Sequence, residues 1–255
     1  MRRVEGSAAL APDQAQAADL GLKAMMPFGR PFLDYVLSGL ADAGCSRVCL
    51  VIGPEHDAVR EYYTGAGRPT RLAVEFAVQE RPLGTADAVL AAEAYAAGQS
   101  ILVVNADNLY PRSALEALRA LPRAGLVGFR RSALIRKGNI PAERVPAFAL
   151  IEVTPDGFLR RIVEKPDPAT AASFGEDPEV SMNVWLLPPS IHLACRGIVP
   201  SSRGELELQD AVQYCVDRLD ERFRVISVEE GVVDLSSRAD IPAVAERLLG
   251  LKPNP

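Results

Sequence analysis

Apolar residues in the first half of the chain alternate between helical spacing and short continuous runs. Residues 30–43 carry apolar side chains at helical spacing and Gly44 follows, a pattern typical of a helix and its end. Residues 47–52 (RVCLVI) form a short apolar run, which predicts a strand buried on both faces of a parallel sheet. The same two patterns predict helices over 55–63, 85–95 and 113–121 and strands over 71–78, 101–104 and 125–129. This alternation indicates right-handed βαβ crossovers.

The pattern changes after residue 147. Residues 148–163 read FALIEV, a Pro-Asp-Gly turn and FLRRIV, which predicts a β-hairpin, so the sheet is expected to be mixed. Further strands are predicted over 180–187, 223–228 and 232–233, with helices near Ser190 and over 207–219 and 239–249. There is no internal repeat or low-complexity linker, so we expect one domain over residues 1–255, in which residues 1–22 are atypical.

The composition argues against several classes of function. The chain of 255 residues is 48% hydrophobic and 24% charged, which suffices for a core without a metal or disulfide. Its 28 basic and 33 acidic residues give a net charge of -5, which argues against binding to nucleic acid. There is no transmembrane run or signal-peptide core, and the four cysteines lack metal-site spacing. We therefore expect a cytoplasmic protein with free thiols and no membrane partner.

Two aspartates follow short apolar strands. Asp107 lies in VVNADN and Asp234 lies in VVDLSS. Ligands of open α/β sheets bind beyond the carboxyl ends of the strands, and Mg²⁺ is often held there by one or two carboxylates with substrate phosphates. Asp107 is equally compatible with a cap of the following turn, and Asp234 alone is better explained as a helix cap. As a pair they would form a magnesium site.

Two further segments carry candidate binding residues. In QERPLGTA, Gln79 could bind a base edge and Gly84 would let the backbone approach a ligand, although a plain loop with Thr85 as N-cap explains the spacing better on its own. Glu164 and Lys165 follow the hairpin. They could hold sugar hydroxyls and a phosphate, or form an ordinary surface ion pair.

Taken in order, these segments resemble the sugar-1-phosphate nucleotidylyltransferase family from about Lys23 to Leu249. KAMMPFGRPFLDYVLSGLADAG resembles the family's PKxLLPVxGRPLLEYVL, and QERPLGTADAVLAA resembles its QxxPLGTAxAV. VVNADNLYP resembles its strand ending in Gly-Asp, and RRIVEKP its EKP signature. VSMNVWLL and VVDLSSRADIPAV resemble its sugar-side strand and its xxDxxTPEDL element. The resemblance implies a nucleotidyltransferase-type, Rossmann-like three-layer α/β/α sandwich with a mixed, mostly parallel central sheet.

The resemblance also implies a reaction, in which a sugar-1-phosphate attacks the α-phosphorus of a nucleoside triphosphate and releases pyrophosphate, with Mg²⁺ as cofactor. UTP or dTTP and a substrate such as glucose-1-phosphate are favoured, because an amide side chain suits the edges of uracil and thymine. The oligomeric state stays open. By this resemblance Lys23 would bind the triphosphate or the leaving pyrophosphate, and Lys165 would bind the phosphate of the sugar. The remaining implied contacts are to the nucleotide from Gln79, Gly84, Thr85 and Ala106, to the sugar from Ala149, Glu164 and Asn183, and to the metal from Asp107 and Asp234. Lys23, Asp107 and Lys165 would be the catalytic residues.

The sequence departs from the family pattern in three respects. Ala106 and Ala149 stand where the family has glycine, close to the expected ribose and sugar. The family also opens with an apolar strand and a GxGTR(M/L) loop that binds the triphosphate, and no such strand is predicted from Met1 to Leu22. Because Met1-Arg2-Arg3 matches the residues around the end of that loop motif, we expect Met1 to be the internal methionine of GTRMR, and residues 4–21 to be an insert. Without the strand, the protein would be poorly stable or folded but inactive.

Two alternatives remain open from the sequence. One is a catalytically impaired member of the same fold that binds nucleotide sugars or regulates partners, which the alanines and the missing loop favour. The other is a cytidylyltransferase that acts on an alcohol phosphate.

Overall fold

Residues 23–255 are described by the computed structural model, and the expectations for residues 1–22 lie outside them. The strands are β1 (Pro27–Phe28), β2 (Arg30–Pro31), β3 (Arg47–Ile52), β4 (Ala73–Val78), β5 (Ile101–Val104), β6 (Asn108–Leu109), β7 (Gly125–Arg130), β8 (Ala149–Val153), β9 (Leu159–Val163), β10 (Glu179–Leu187), β11 (Arg224–Val228) and β12 (Val233–Asp234).

Helices connect most of these strands. They are α1 (Phe32–Asp42), α2 (Asp57–Thr64), α3 (Thr85–Ala91), α4 (Glu93–Ala96), α5 (Arg112–Arg119), α6 (Arg131–Lys137), α7 (Pro168–Ala172), α8 (Ile191–Gly197), α9 (Leu208–Arg218) and α10 (Ile241–Leu248). Short 3-10 helices cover Lys23–Met25, Ala142–Ala147 and Arg238–Asp240. No helix within residues 23–255 has the length and apolar character needed to cross a membrane.

The largest sheet is built around β10. Its strand order is β11-β7-β10-β8-β9, and β5 also pairs with β10. One edge of β10 pairs with β7, and the other pairs first with β8 and then with β5, all antiparallel. β5 and β7 therefore run in the same direction with β10 between them, and β11 is parallel to β7. Together with the antiparallel β8–β9 hairpin, this confirms the prediction of a mixed sheet.

Three smaller strand pairs accompany the large sheet within residues 23–255, and one of them is the short antiparallel pair β1–β2. β3 and β4 are parallel over six residue pairs, as the βαβ pattern predicted. The predicted burial of β3 on both faces is wrong for the described residues, since only Leu50 and Ile52 are buried and Arg47 is exposed. β6 and β12 are antiparallel and place Asn108 opposite Asp234. The two segments that carry the predicted metal carboxylates are therefore joined by backbone pairing.

Apolar side chains form two clusters on opposite faces of the large sheet. In β7, Val127 and Phe129 belong to the first cluster, whereas Leu126 points into the second. The first cluster contains the apolar stripe of α1, and the second contains Trp185 with side chains of α3, α8 and α9. Because successive strand residues point to opposite faces, the sheet is covered on both sides, as expected for a three-layer sandwich.

Most predicted elements are present, with two kinds of difference. The helix predicted over 85–95 is divided at Ala92 into α3 and α4. The structure also contains α6, α7 and the 3-10 helix Ala142–Ala147, which the periodicity did not predict. These segments are short, and helices of one or two turns show little periodicity.

Candidate active site

The turn after β5 holds the first predicted carboxylate. Asp107 is half-buried, and burial together with the charge of Asp234 raises the pKa of its carboxyl to about 6. The ammonium of Lys23 opposes this shift. No hydrogen bond from another side chain within residues 23–255 reaches the Asp107 carboxylate. Asp107 is therefore a partly desolvated carboxylate whose charge a cation would stabilise.

The second carboxylate, Asp234, is 1% exposed and fully engaged. Its Oδ1 accepts hydrogen bonds from Asn108 Nδ2 at 2.7 Å and from Ser236 Oγ at 2.8 Å. Its Oδ2 forms an ion pair with the guanidinium of Arg144. The side chain of Asn139 also bonds both main-chain polar groups of Asp234, at 2.7 and 2.8 Å. The position of Asp234 is thus fixed by four neighbouring residues.

Arg144 was missed by the sequence analysis. It lies in the 3-10 helix Ala142–Ala147, and its Nη1 also bonds Asp240 Oδ1 at 2.6 Å. Asp234 and Asp240 are both buried, so the single positive charge of Arg144 is shared between two carboxylates and offsets part of the cost of burying them. No local sequence pattern marks this arginine, because its partners lie 90 and 96 residues away.

A bulge in β10 faces the same turn. Asn183 has φ +56°, a left-handed conformation that asparagine tolerates, at the point where the partner of β10 changes from β8 to β5. Tyr110 Oη donates to Met182 O at 2.6 Å and accepts from the Asn105 amide at 3.3 Å. Gln209 Nε2 donates to Asn183 Oδ1 at 2.8 Å. Tyr110 therefore ties the turn before Asp107 to the bulge that presents Asn183.

Five of the predicted site residues line one cavity of about 830 Å³, and six do not. The five are Lys23, Thr85, Ala106, Asp107 and Asn183. The six outside its lining are Gln79, Gly84, Ala149, Glu164, Lys165 and Asp234. The cavity thus brings together the predicted triphosphate lysine, one metal carboxylate and one sugar residue.

The loop before α3 is fixed by the segment that precedes α9. The Leu206 backbone bonds on both sides of Gly84, with Leu206 N donating to Leu83 O at 2.7 Å and Ala86 N donating to Leu206 O at 2.9 Å. A Cβ on Gly84 would lie 2.4 Å from Leu206 O, so packing against Leu206 requires glycine here whether or not a ligand approaches. Thr85 Oγ1 accepts from Leu208 N at 2.8 Å and so caps α9, not its own helix.

Gln79 is placed at the end of β4. Its Nε2 donates to Gly84 O at 3.0 Å and to Asp87 Oδ2 at 2.8 Å. These two bonds use both amide protons and hold the side chain against the loop. The carbonyl oxygen is the group left to meet a ligand.

Glu164 and Lys165 lie beside a second cation that the sequence analysis also missed. Glu164 Oε1 is 3.7 Å from Lys165 Nζ and 3.8 Å from Arg203 Nη2. Arg203 also pairs with Glu205 and Glu207. Burial first, and then the charge of Glu207, raise the pKa of Glu164 to about 7 against the lowering effect of Arg203. Lys165 has φ +45°, an unfavourable backbone conformation for lysine that is typical of functional sites.

The two alanines that depart from the family pattern differ in exposure. Ala106 is exposed at the cavity, whereas Ala149 is 1% exposed at the start of β8. A methyl group at Ala106 therefore faces ligand space, and that of Ala149 packs in the protein core.

Comparisons of sequence place the chain among known proteins. The model of the nucleotidyl transferase family matches residues 20–236. The chain is 30% identical over 199 residues to glucose-1-phosphate thymidylyltransferase of Streptomyces griseus, covering 78% of this chain and 52% of that protein. It is 28% identical over 196 residues to the bifunctional protein GlmU of Methanococcus vannielii, covering 76% and 42%. The chain therefore spans about half the length of the curated relatives it matches.

A comparison of structures supports the same placement. UDP-glucose pyrophosphorylase complexed with UDP-glucose matches with a TM-score of 0.73 at 18% identity, covering 90% of this chain and 91% of that chain. Similarity at this identity shows a shared fold, and it confirms the predicted α/β class. Together with the match over residues 20–236, it establishes that the chain belongs to the nucleotidyl transferase family, as its resemblance to sugar-1-phosphate nucleotidylyltransferases indicated.

Proposed function

We propose that the protein forms a nucleoside diphosphate sugar and pyrophosphate from a nucleoside triphosphate and a sugar-1-phosphate. UTP or dTTP with glucose-1-phosphate are the favoured substrates. The observation that carries this proposal is the cavity in which Lys23 and Asp107 interact electrostatically beside Asn183. A cation and a desolvated carboxylate at the end of a β-strand suit a phosphate chain and its counter-ion.

The reaction needs no covalent intermediate on the protein. A phosphate oxygen of the sugar-1-phosphate forms a bond to the α-phosphorus, the bond from this phosphorus to the oxygen bridging to the β-phosphate breaks, and pyrophosphate leaves with that electron pair. Lys23 would stabilise the leaving pyrophosphate, and Lys165 would hold the attacking phosphate. Positioning and neutralisation of charge are what such a transfer requires.

A magnesium ion fits these residues in part. Asp107 carries a desolvated carboxylate without a side-chain partner within residues 23–255, and Mg²⁺ commonly takes one or two carboxylates with substrate phosphates. Within the same residues there is no cluster of three metal-ligating side chains. Asp107 would therefore hold the ion, joined by Asp234 if Arg144 releases it. When bound, Mg²⁺ supplies neutralisation of charge on the phosphate oxygens.

The sugar side of the proposal rests on Glu164 and its neighbours. A carboxyl with a pKa near 7 can accept or donate a hydrogen bond to a sugar hydroxyl around neutral pH. Lys165 and Arg203 provide two cations within 4 Å of it, at 3.7 and 3.8 Å, for the adjacent phosphate. Glu164 would orient the sugar while the cations hold its phosphate.

The test is release of pyrophosphate by the chain with Mg²⁺, glucose-1-phosphate and each of UTP, dTTP, CTP, GTP and ATP, with chromatography of the sugar product. The assay is run on the chain and on a form extended to the next in-frame start codon upstream, because the sequence predicts that a form without the family's phosphate loop is inactive. In the active form we expect UDP- or dTDP-glucose, and a loss of at least about 100-fold in Asp107→Asn. Asp156→Asn is the matched control, because Asp156 is an exposed carboxylate in the β8–β9 turn. Equal activity of both variants would exclude Asp107 from the reaction.

One observation favours the alternative of a binding protein. Arg144 already neutralises Asp234, as would suit a fold that binds nucleotide sugars without catalysis. In that case calorimetry would detect UDP-glucose binding while no triphosphate yields pyrophosphate. Turnover with any of the five triphosphates would exclude this alternative.

A further inference from the structure

A buried glutamine contacts the asparagine at the bulge of β10. Gln209 lies in the first turn of α9 and is 4% exposed. Its Nε2 donates to Asn183 Oδ1 at 2.8 Å, whereas its Oε1 has no hydrogen-bond partner within residues 23–255. A buried amide that uses only one of its two polar atoms costs stability, and a methionine of similar length would avoid that cost. The contact with Asn183 therefore points to a role of Gln209 other than stabilising the fold.

This bond determines which atom of Asn183 is free to meet a ligand. Asn183 is half-buried and lines the cavity of about 830 Å³ together with Lys23 and Asp107. Its Oδ1 is used by Gln209, and no hydrogen bond among the described residues uses its Nδ2. Asn183 therefore offers a hydrogen-bond donor to the cavity. A hydroxyl oxygen can accept from this donor, whereas an ammonium group, which carries only donors, cannot.

The start of α9 is held by the loop that precedes α3. Leu208, the residue before Gln209, donates its amide N–H to Thr85 Oγ1 at 2.8 Å. Two residues further back, the backbone of Leu206 bonds on both sides of Gly84. Gln209 cannot shift without straining these bonds. Its Nε2 therefore has a fixed position, as a group that orients another side chain requires.

We propose that Gln209 is a positioning residue that sets the sugar preference of the site through Asn183. By holding Asn183 Oδ1, it makes Nδ2 the group that meets one hydroxyl of the sugar-1-phosphate, and that hydroxyl acts as an acceptor. The site accordingly takes a sugar with an oxygen at this position and rejects the analogue with an ammonium group there. The inference rests on the proposed function, because it takes Asn183 as a sugar-binding residue.

The orientation of the two amides is tested without any substrate. In ¹H–¹⁵N spectra of protein labelled at its asparagine and glutamine side-chain amides, Asn183→Asp and Gln209→Met identify the two signals by their loss. We expect the amide protons of Gln209 to exchange with water at least about tenfold more slowly than those of Asn183, because only the latter face the cavity. Protected amide protons on Asn183 would mean that it donates to Gln209 Oε1, and this would overturn the proposal.

The sugar preference is tested with Gln209→Met and a matched control, Gln213→Met. Gln213 lies one turn later in α9, and its side chain bonds Ile162 N at 3.0 Å and Asp217 Oδ1 at 2.9 Å. The substrates are glucose-1-phosphate and its analogues with an ammonium group in place of the 2-, 3-, 4- or 6-hydroxyl. Release of pyrophosphate by the active form gives kcat and KM for each.

Gln209→Met leaves the Asn183 amide free to turn its Oδ1 towards an ammonium group. We expect the preference for glucose-1-phosphate over one of these analogues, as a ratio of kcat/KM, to fall at least about tenfold, with the other ratios unchanged. The KM for glucose-1-phosphate should rise about threefold to tenfold, with little change in kcat or in the KM for the triphosphate. The Tm should not fall, because methionine removes the unpartnered buried oxygen. Gln213→Met should change none of the ratios.

The possible outcomes separate this inference from the proposed function. Turnover with unchanged ratios in Gln209→Met would overturn the inference and leave the proposed function intact. An equal change in every ratio, or a lower kcat together with a lower Tm, would assign Gln209 a structural role and also overturn it.

If no form releases pyrophosphate, the proposed function fails. Calorimetric affinities for UDP-glucose and its ammonium analogues then replace the rate ratios. Loss of one preference in Gln209→Met would support the inference without catalysis, and absence of any binding would overturn both.

Discussion

The guanidinium of Arg144 pairs with the buried carboxylate of Asp234 and extends to Asp240. The structure therefore provides Asp234 with a cation of its own, at the position where the family resemblance implies a metal. A magnesium ion that binds both Asp107 and Asp234 has to compete with this arginine. The competition gives the first prediction.

Replacement of Arg144 by methionine keeps most of the side-chain volume and removes the charge. Two buried carboxylates then lack their cation, so we expect the free energy of unfolding to fall by about 3–5 kcal/mol. Mg²⁺ can occupy the vacated side of Asp234, so millimolar MgCl₂ should raise the Tm of Arg144→Met more than that of the unmodified chain.

The matched control for this variant is Arg112→Met, which breaks the exposed Arg112–Glu116 pair. Exposed pairs contribute about 0.2–1 kcal/mol, so little change is expected. Equal Mg²⁺-dependent shifts in Tm for Arg144→Met, the control and the unmodified chain would contradict competition at Asp234.

The second prediction concerns Asp107, whose pKa is raised to about 6 in the folded protein from an ordinary 3.8. Between these pH values the folded state binds more protons than the unfolded state, so stability falls as pH rises. Asp107→Asn removes this dependence. In metal-free buffer the variant should be more stable than the unmodified chain above pH 6, on the order of 2–3 kcal/mol, and the difference should disappear towards pH 4.

Urea unfolding at pH values from 4 to 8 measures this difference. Asp156→Asn again serves as control, because hydrogen bonds from Thr154 and Arg222 lower the pKa of Asp156, so its substitution should not stabilise at any pH. A constant difference between Asp107→Asn and the unmodified chain across this range would show that Asp107 does not titrate there.

Glu164 gives a third prediction with a different pH window. Burial and Glu207 raise the pKa of Glu164 from 4.5 to about 7. As for Asp107, the folded state binds more protons than the unfolded state between these two pH values, so the stability of the unmodified chain falls as the pH rises. Glu164→Gln should therefore become progressively more stable than the unmodified chain from pH 4.5 to pH 7 and stay more stable above pH 7. The KM for the sugar-1-phosphate should rise, because the glutamine amide has one oxygen that accepts hydrogen bonds, whereas the carboxylate has two. Unfolding curves and initial rates measure the two effects.

Glu75→Gln is the control for Glu164, since Glu75 forms an exposed pair with Arg47 on the β3–β4 strands. A stability gain of Glu164→Gln that ends near pH 5 instead of pH 7 would contradict the proposed environment of this carboxyl.

Much of the fold could be predicted because local patterns determine it. The run RVCLVI forms β3 and the helical stripe of α1 is buried, because short apolar runs and amphipathic helices carry their signal within a few residues. The pairing of β10 could not be predicted in the same way. Its three antiparallel partners are set by side-chain packing across the sheet, on both faces, and no pattern within residues 179–187 names them.

In the candidate site, too, residues marked by a local pattern could be predicted and residues defined by distant partners could not. Ligands of open α/β sheets bind beyond the carboxyl ends of the strands, and this rule predicted Asp107 as a site residue. The structure places Asp107 at the cavity with Lys23 and Asn183. Arg144 and Arg203 were missed, because arginines are common on surfaces and their significance here comes from carboxylates on other elements. Whether these residues act in catalysis stays a prediction that the variants above test.

The last prediction concerns Gly84, where two effects can be separated. Its φ is +128°, and a Cβ would lie 2.4 Å from Leu206 O and 2.6 Å from Leu206 N. Gly98 also has a positive φ, +73°, but a Cβ there would meet nothing within 4 Å. Gly98→Ala should therefore cost only the backbone strain, about 1–2 kcal/mol.

Gly84→Ala should cost clearly more, about 3 kcal/mol or above, because φ +128° with ψ 178° is a conformation essentially restricted to glycine and because backbone atoms of Leu206 must also move. That movement breaks the bonds of Leu206 to Leu83 and Ala86, and it shifts Thr85 away from the amide of Leu208. Urea unfolding gives both costs, and hydrogen exchange at the Leu208 amide reports the lost cap. Equal destabilisation by the two substitutions would mean that this loop is free to move away from Leu206, and the close approach of Leu206 would then not explain the glycine.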